Sequence, residues 1–519
     1  MASGSHCGFT TTTLNANIPF VHILLPGLGG KADQWDRMII IIIGTSMQAM
    51  GCLASVMALL LWTWLSKNED DKNSDDSSTI KSAWYQPISL SIVIVAGVVE
   101  TLGAQLASVA VKKEWVPIVF AEQSGINNCD ASYTTTNKSS NNPPNVKLSF
   151  INTTITNIDL LAAMFGPILT GWILQVLGGG HGTYSVQRGF IAIALMNASS
   201  FIPEIILLRQ VYNSCPALQR RRGAGESIMN AELLTKLEPT ANPWTIWYHH
   251  PSGLPLLTLS LSSLYLTALS PAGVVLTAYL VTMGLSPTAI GTFRACGAIS
   301  GVLGIWLFSM MRNNSGEAQI AGAQDMNVKS IDRLRRVSLA SLLLEVVSVF
   351  LAGATFSMIR VVETDGPLSL PIIVFLGFIV LSRAGLYSFD LGVLEIEQYV
   401  VDERYRNAVG SVEGALCSIA EMGIYVMSIF MSDPTDFGWQ VLVSIIAVSF
   451  GGLCFTTFLC MYHLHRHHHD DFEHHHDHTG ECAHHHHMHT HTWQQEQDLK
   501  KYGYHTHLHR HLRSQKSTL

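Results

Sequence analysis

Histidine side chains are concentrated near the C-terminus, where 19 of the 24 histidines lie between positions 463 and 511. A neutral imidazole nitrogen is a ligand for zinc, iron(II), nickel and copper ions. The tail therefore predicts metal binding without a closed ligand set, and expansion of a low-complexity repeat with no metal role is the alternative. The candidate ligands are His467, His468, His469, His474, His475, His476, His484, His485, His486 and His487.

A second group of candidate residues lies just before the first long apolar segment, in the sequence GGKADQWDR. Asp33 follows Gly29 by four residues, and Arg37 follows Asp33 by four. The helix dipole stabilises an aspartate at the start of a helix, which leaves the arginine to pair with a carboxylate on a neighbouring helix end. The spacing predicts a charged latch between helix ends, and an ordinary cluster of charges beside a membrane is the alternative.

A third group consists of ionisable side chains inside apolar segments. A charge at the centre of a bilayer costs about 2.5–3.5 kcal/mol or more, so such residues face a cavity or pair with one another. The set has a net acidic character, which suits a cation as the solute, although structural pairing between helices is the alternative for each member. The residues are Glu100, Glu204, Arg294, Glu345, Asp390, Glu413 and Glu421.

The elements that must position these residues are long apolar helices. Only 13% of the 519 residues are charged, against about 25% in soluble proteins. Apolar stretches of about 20 residues cross a hydrocarbon core, and in lipid each must be a helix that satisfies its own backbone. Ten spans are predicted: Met38–Leu65, Pro87–Val111, Asn157–Leu177, Gly189–Val211, Leu254–Met283, Pro287–Met311, Val337–Met358, Pro371–Val393, Ala408–Met431 and Trp439–Tyr462.

Charges in the loops predict the orientation. Basic residues collect on alternate loops, while the intervening loops are short or acidic, as in NEDDKNSDDSST. Because basic loops stay in the cytosol, both termini are predicted to be cytosolic, in the plasma membrane or an organelle membrane. The net charge of −7 gives no indication of nucleic-acid binding. No nucleophile–base pair or phosphate loop is present, so neither an enzyme nor a cofactor is expected.

The longest basic loop divides the spans into four before it and six after it. The predicted units are an N-terminal segment (1–37), a first bundle (38–215), a cytosolic linker (216–250), a second bundle (251–462) and the histidine-rich tail (463–519). Transporters of the major facilitator class have six plus six helices, so two N-terminal helices are expected to be missing. Residues 17–28 are apolar but too short to span, and are predicted to be the end of a truncated second helix, with a signal peptide as the alternative.

Several segments together resemble one known family. Over about residues 29–462, the chain is similar to the ferroportin family of iron exporters, also called the solute carrier 40 family. The most specific segment is RAGLYSFDL at 383–391. The resemblance also rests on KEWV (113–116), NTTI (152–155), PEIILL (203–208), Gln398, Glu403, Arg406 and DP (433–434).

The resemblance implies an all-α major facilitator fold and proton-linked efflux of iron(II), with cobalt or nickel carried by some members. It also implies that one set of charged residues acts as gating latches rather than as metal ligands. Those residues are Asp33, Arg37, Glu114, Asp159, Asp390 and Arg406.

The metal ligands of the family do not carry over. Its N-terminal site uses an aspartate on the first helix, which is one of the two helices expected to be missing here. The positions that match its cysteine and histidine ligands are Gly273 and Ile424, and Ala272 stands at the neighbouring acidic position. Glu421 is close to the lost site and is a candidate oxygen ligand. Because that cysteine also receives the hormone hepcidin in animal members, no hormone control is expected.

These observations lead to one main hypothesis and one alternative. The main hypothesis is a lipid-embedded secondary transporter that exports a divalent metal, iron(II) in the first instance, by alternating access. The alternative is a degenerate or truncated family member that binds metal through its histidine-rich tail as a buffer or sensor. The acidic interior, the tail and the resemblance support the first.

Overall fold

The computed structural model describes residues 24–70, 85–123, 148–178, 183–220, 242–250, 252–313, 323–361, 369–431 and 433–476. Every regular element within these ranges is helical. This confirms the predicted all-α class, as expected for backbone that satisfies its own hydrogen bonds in lipid.

The first bundle consists of the helices up to residue 220. A helix over 24–32 comes first; residues 17–23 of the predicted truncated helix lie outside the described residues. A π-helical turn, Ala110–Trp115, joins α2 directly to α3. The helices are α1 (Arg37–Asp70), α2 (Tyr85–Val109), α3 (Val116–Gln123), α4 (Leu148–Gly178), α5 (Thr183–Ser214) and α6 (Pro216–Gln219).

The second bundle consists of the helices from residue 243 onward. Short 3₁₀ turns, Glu403–Tyr405 and Pro434–Asp436, precede its last two helices. The helices are α7 (Pro243–Tyr248), α8 (Leu254–Tyr265), α9 (Val274–Thr282), α10 (Pro287–Asn313), α11 (Ala323–Val361), α12 (Leu370–Val400), α13 (Arg406–Phe430) and α14 (Phe437–His476).

One predicted span is interrupted. The structure divides Leu254–Met283 into α8 and α9, with residues 266–273 between them outside any helix. Pro271 lacks a backbone donor and disfavours helical conformation at the residue before it. A continuous apolar pattern does not predict such a break, because hydrophobicity does not depend on whether the backbone hydrogen bonds of a helix are formed.

Eight helices in the described residues are long and apolar enough to cross a membrane. The predicted span Asn157–Leu177 is not among them but lies within α4, a helix of 31 residues. The polytopic membrane class is therefore confirmed, while the count of ten spans is not. The eight spans are Arg37–Trp64, Ile88–Glu122, Arg188–Ser214, Thr288–Arg312, Ile331–Ile359, Leu370–Val400, Glu403–Phe430 and Pro434–Met461.

Each bundle has its own apolar core. Ile40, Leu106 and Trp115 belong to the core of the first bundle, and Phe389 and Phe455 belong to that of the second. Many other large apolar side chains remain exposed on the outer helix faces, where lipid rather than water surrounds them. The membrane environment thus explains both the cores and the apolar surface.

Helices α1 and α2 pack closely because glycines line their contact. A Cβ atom on Gly51 would lie 2.5 Å from the carbonyl oxygen of Ala96, and one on Gly103 would lie 2.4 Å from that of Gly44. Small residues permit such approaches between membrane helices. This packing fixes α2, and with it the π-helical turn that carries the charged residues described next.

Candidate gate between the two bundles

Asp33 contacts the start of a helix in the opposite bundle. Its carboxylate accepts hydrogen bonds from the backbone N–H groups of Asn407 at 3.2 Å and Ala408 at 2.9 Å. Both belong to the first turn of α13, where unpaired N–H groups and the helix dipole favour an anion. One carboxylate thus connects the segment before α1 to the second bundle.

Arg37 is almost fully buried, with 3% of its side chain exposed, and its guanidinium is bonded on several sides. Nε donates to Glu114 at 2.7 Å, and Nη2 pairs with Glu403 of the second bundle. Nη1 donates to backbone carbonyls at the end of the first bundle, including those of Leu218 at 3.1 Å and Arg220 at 2.8 Å. The planar guanidinium carries five N–H donors, so it can bond to all of these partners at once.

The π-helical turn Ala110–Trp115 presents two successive charged residues to the interior, and Lys113 and Glu114 are both buried there. Glu114 accepts from Arg37 and also from the side-chain amide of Asn407 at 2.7 Å. Turns of this kind are rare and occur often at functional sites.

Lys113 reaches into the second bundle and contacts two carboxylates. Its Nζ lies 2.5 Å from Glu397 Oε2 on α12 and 2.7 Å from Glu413 Oε1 on α13. The three side chains are 11%, 3% and 12% exposed, respectively. Buried charge pairs of this kind are stable only when their geometry and hydrogen bonding are complete.

Helix α4 adds a polar contact to the network. The amide of Asn152 donates to Gln398 Oε1 on α12 at 2.7 Å, and the Gln398 amide donates to the backbone carbonyl of Lys112 at the same distance. Together with Asp33, Arg37 and Lys113, this contact closes the two bundles against each other at one end.

Two of the predicted latch residues make their contacts within one bundle. Asp159 on α4 pairs with Lys112 at 2.5 Å, and its side chain is 51% exposed. Arg406 donates to the backbone carbonyls of Val401 at 3.2 Å and Gln398 at 3.1 Å. These two residues therefore fix the ends of helices that take part in the contact.

Asp390 lies deeper on α12. It stands in the electrostatic field of Lys112, Lys113, Glu413 and Asp159. Asp390 precedes Glu397 by seven residues, or about two helical turns, so the two carboxyl groups lie on the same side of α12.

His250 lies beside this network, in the turn that follows α7, and its Nδ1 is 2.7 Å from the hydroxyl of Ser252. Burial lowers the pKa of His250 below its ordinary value, and the carboxylate of Asp402 opposes this only in part. The ring is therefore neutral at neutral pH and adds no positive charge to the gate.

Of the predicted metal ligands, Glu421 is the one whose side chain lies among the described residues. Glu421 is exposed on α13, and the hydroxyl of Tyr425 lies 3.4 Å from it. Among the described residues, no group of three or more His, Cys, Asp or Glu side chains is placed to hold a metal ion. Helix α14 includes the backbone of positions 467–469 and 474–476, whereas 484–487 lie outside the described residues.

The break between α8 and α9 is held by a buried ion pair. Arg383 Nη2 donates to the backbone carbonyl of Leu269 at 3.2 Å and lies 3.5 Å from Glu345 Oε1. Glu345 is fully buried. Gly273 immediately precedes α9 and Ile424 is buried on α13, so neither of these positions offers a metal-binding side chain.

Sequence reasoning missed several partners in the gate. The predicted span Pro371–Val393 ends before Glu397, whereas α12 continues to Val400, so the apolar pattern does not show that Glu397 lies on this helix. Glu403 and Lys113 fell within the segments that resemble the family but received no role. Acidic residues just beyond an apolar run were the available signal.

Solved structures of similar fold are transporters. The chain resembles a bacterial homologue of the iron transporter ferroportin in an outward-facing state with soaked iron, with a TM-score of 0.64 and 22% identity over 88% of this chain and 91% of that one. It also resembles the proton:xylose symporter XylE of the major facilitator superfamily, with a TM-score of 0.52 and 14% identity over 85% and 84% of the two chains. The fold is therefore of the major facilitator type.

The sequence comparison narrows this class to one family. The family model described as Ferroportin1 (FPN1) matches residues 139–448, which is more than half of the chain. A protein from Bdellovibrio bacteriovorus called ferreportin is 26% identical over 378 residues, covering 72% of this chain and 71% of its own. The chain belongs to the ferroportin family, and it is a transporter rather than an enzyme, as predicted.

Proposed function

We propose that this protein exports a divalent metal, iron(II) in the first instance, from the cytosol by alternating access. The single observation that supports this most is the set of contacts by which Asp33, Arg37 and Lys113 join the two bundles at one end. All of these contacts are polar and can be exchanged for water or other partners when the bundles separate. Family membership supports a metal as the solute.

The closed end is assigned to the cytosol. Arg37 holds the backbone carbonyl of Arg220 at this end, at the start of the basic stretch that follows α6. Basic loops remain on the cytosolic side, so the described conformation is closed toward the cytosol. The same rule supports a cytosolic position for both termini.

The predicted latch residues then have different tasks. Asp33, Arg37 and Glu114 contact the second bundle or a residue that does so, and form the gate itself. Asp159 and Arg406 position the helix ends that meet there. Asp390 provides negative charge deeper on α12, next to the gate.

The chemistry of the interior and of the tail supports a divalent metal as the transported solute. Glu421, four residues beyond Cys417 on α13, is the candidate oxygen ligand, and no cofactor beyond the transported ion is required. The histidine-rich tail collects metal on the cytosolic side before export. Since Gly273 and Ile424 replace the family's ligands, hormone control is not part of the proposal.

Efflux of radioiron from cells that express the chain tests the proposal. Cells with the full chain should lose iron faster than empty-vector cells, and removal of residues 463–519 should slow the loss at low cytosolic iron. Efflux equal to that of empty-vector cells, with the protein present at the membrane, would contradict export. Unchanged efflux without the tail would contradict its collecting role alone.

A further inference from the structure

Lys113 occupies the place of a cation between two carboxylates. Its ammonium group comes from the first bundle, whereas Glu397 and Glu413 belong to neighbouring helices of the second bundle. Contacts of 2.5 and 2.7 Å hold the three groups together, and Glu397 is only 3% exposed. The arrangement resembles an ion held by two oxygen ligands from two helices.

The pair of carboxylates has more binding capacity than the lysine uses. Oε1 of Glu397 and Oε2 of Glu413 are both buried and accept no hydrogen bond from Lys113 or another nitrogen donor among the described residues, and the two carboxyl groups lie within hydrogen-bond reach of each other. Two carboxylates carry twice the charge of one ammonium group, and uncompensated buried charge is costly. A small cavity adjoins the group, lined by Lys113, Glu397, Gln398, Val401, Arg406 and Val409.

Separation of the bundles changes this site in one specific way. Lys113 moves away with the first bundle, while Glu397 and Glu413 stay together on α12 and α13. We infer that Glu397 and Glu413 form a divalent-cation site in the conformation open to the cytosol, and that the Lys113 ammonium displaces the ion on closure. This inference rests on the proposed export function and names where the cargo first binds.

The charge balance and the ligand chemistry both favour a divalent ion. Two carboxylates match the charge of one such ion, whereas lysine neutralises only half of theirs. Hard divalent cations are held by one or two carboxylates together with water, so this pair suffices although it is smaller than a three-ligand cluster.

The helices also provide the next ligands. Asp390 precedes Glu397 by seven residues on α12, and Cys417 follows Glu413 by four on α13. Spacings of four and seven keep side chains on one helix face. An ion expelled by Lys113 therefore meets oxygen and sulfur ligands deeper in the same bundle.

Binding of Mn²⁺ to the purified full chain, followed by the loss of the free-ion EPR signal, tests the inference. Mn²⁺ prefers oxygen ligands, which limits the contribution of the imidazole tail. Lys113→Met should raise the apparent Mn²⁺ affinity about tenfold or more, because the competing ammonium group is gone. Adding Glu397→Gln and Glu413→Gln should abolish that gain.

Lys31→Met is the matched control, because this lysine is exposed and its loss should leave the affinity within about twofold. If Lys113→Met does not yield folded protein, Glu397→Gln with Glu413→Gln in the unaltered background should still remove one Mn²⁺ site.

Two outcomes would overturn the inference. One is Mn²⁺ binding that is the same with and without the two glutamates, and the other is a gain in Lys113→Met that persists without them. A change in the pH dependence of transport with unchanged Mn²⁺ binding would identify a proton site instead and would also overturn it. Because binding is measured without transport, loss of Mn²⁺ binding and loss of export are separate results.

Discussion

Arg37 illustrates at the residue scale how one side chain can join three parts of the molecule. Its guanidinium contacts Glu114 in its own bundle, Glu403 in the other bundle, and backbone carbonyls at the end of the first bundle, including that of Leu218. Lysine could not make these contacts together, because it lacks the planar fork of donors. The contact with Glu403 requires the bundle ends to meet, so this residue couples closure to the position of both helix ends.

The buried pair of Arg383 and Glu345 gives a prediction at the same scale. Arg383→Ala should lower stability by about 3–5 kcal/mol, because it leaves a buried carboxylate without its cation. Replacing the carboxylate as well, with Glu345→Gln, should recover part of that loss. Thermal unfolding of the purified variants measures both effects.

Arg404→Ala, at an exposed position, serves as the control and should change the unfolding temperature little. A double variant that is no more stable than Arg383→Ala would show that the charge of Glu345 is not the cause.

The sequence allowed the charged positions to be predicted better than their partners. The spacing of Asp33 and Arg37 pointed to helix ends, and the structure places both at contacts with the second bundle. Their partners follow hundreds of residues later: Glu403 comes 366 residues after Arg37, and Glu413 comes 300 residues after Lys113. A single sequence does not indicate which distant charged residues form ion pairs, so these pairs could be identified only from the structure.

At the scale of elements, hydrophobicity predicted where helices lie but not where they break or end. The Pro271 interruption divides one predicted span in two, and α12 continues to Val400, past the last apolar run. The apolar pattern also does not predict the π-helical turn Ala110–Trp115, because a π-helical turn and an ordinary α-helix have similar apolar patterns. The π-helical turn bears Lys113 and Glu114 of the gate, and the interruption supplies the Leu269 carbonyl that Arg383 contacts.

The contact between α1 and α2 provides a prediction for this scale. Gly103→Val should destabilise the first bundle, because even a Cβ there would lie 2.4 Å from the Gly44 carbonyl oxygen. Overpacking of this kind costs about 1–3 kcal/mol, or more when backbone atoms clash.

Fluorescence-detected size exclusion after heating measures the effect. Gly377→Val is the matched control, since a Cβ at Gly377 has no neighbour within 4 Å. Equal unfolding temperatures for the two variants would contradict the packing described for α1 and α2.

At the scale of the whole molecule, the two bundles bring different charged groups to the closed end. The first supplies Lys113 and Arg37 to the closed end, while the second supplies Glu397, Glu403 and Glu413. Opposite charges therefore meet when this end is closed, and opening leaves an acidic surface on the second bundle. Such a surface attracts cations and repels anions, in keeping with a divalent metal as the solute.

Metal flux into liposomes that contain only the purified chain tests the central claim most directly. An iron-quenched dye inside the vesicles reports entry of iron(II), and protein-free vesicles give the background. We predict iron(II) entry well above this background, with no uptake of xylose by the same vesicles. Iron(II) entry no faster than in protein-free vesicles, from protein that is monodisperse and folded, would contradict metal transport by this chain.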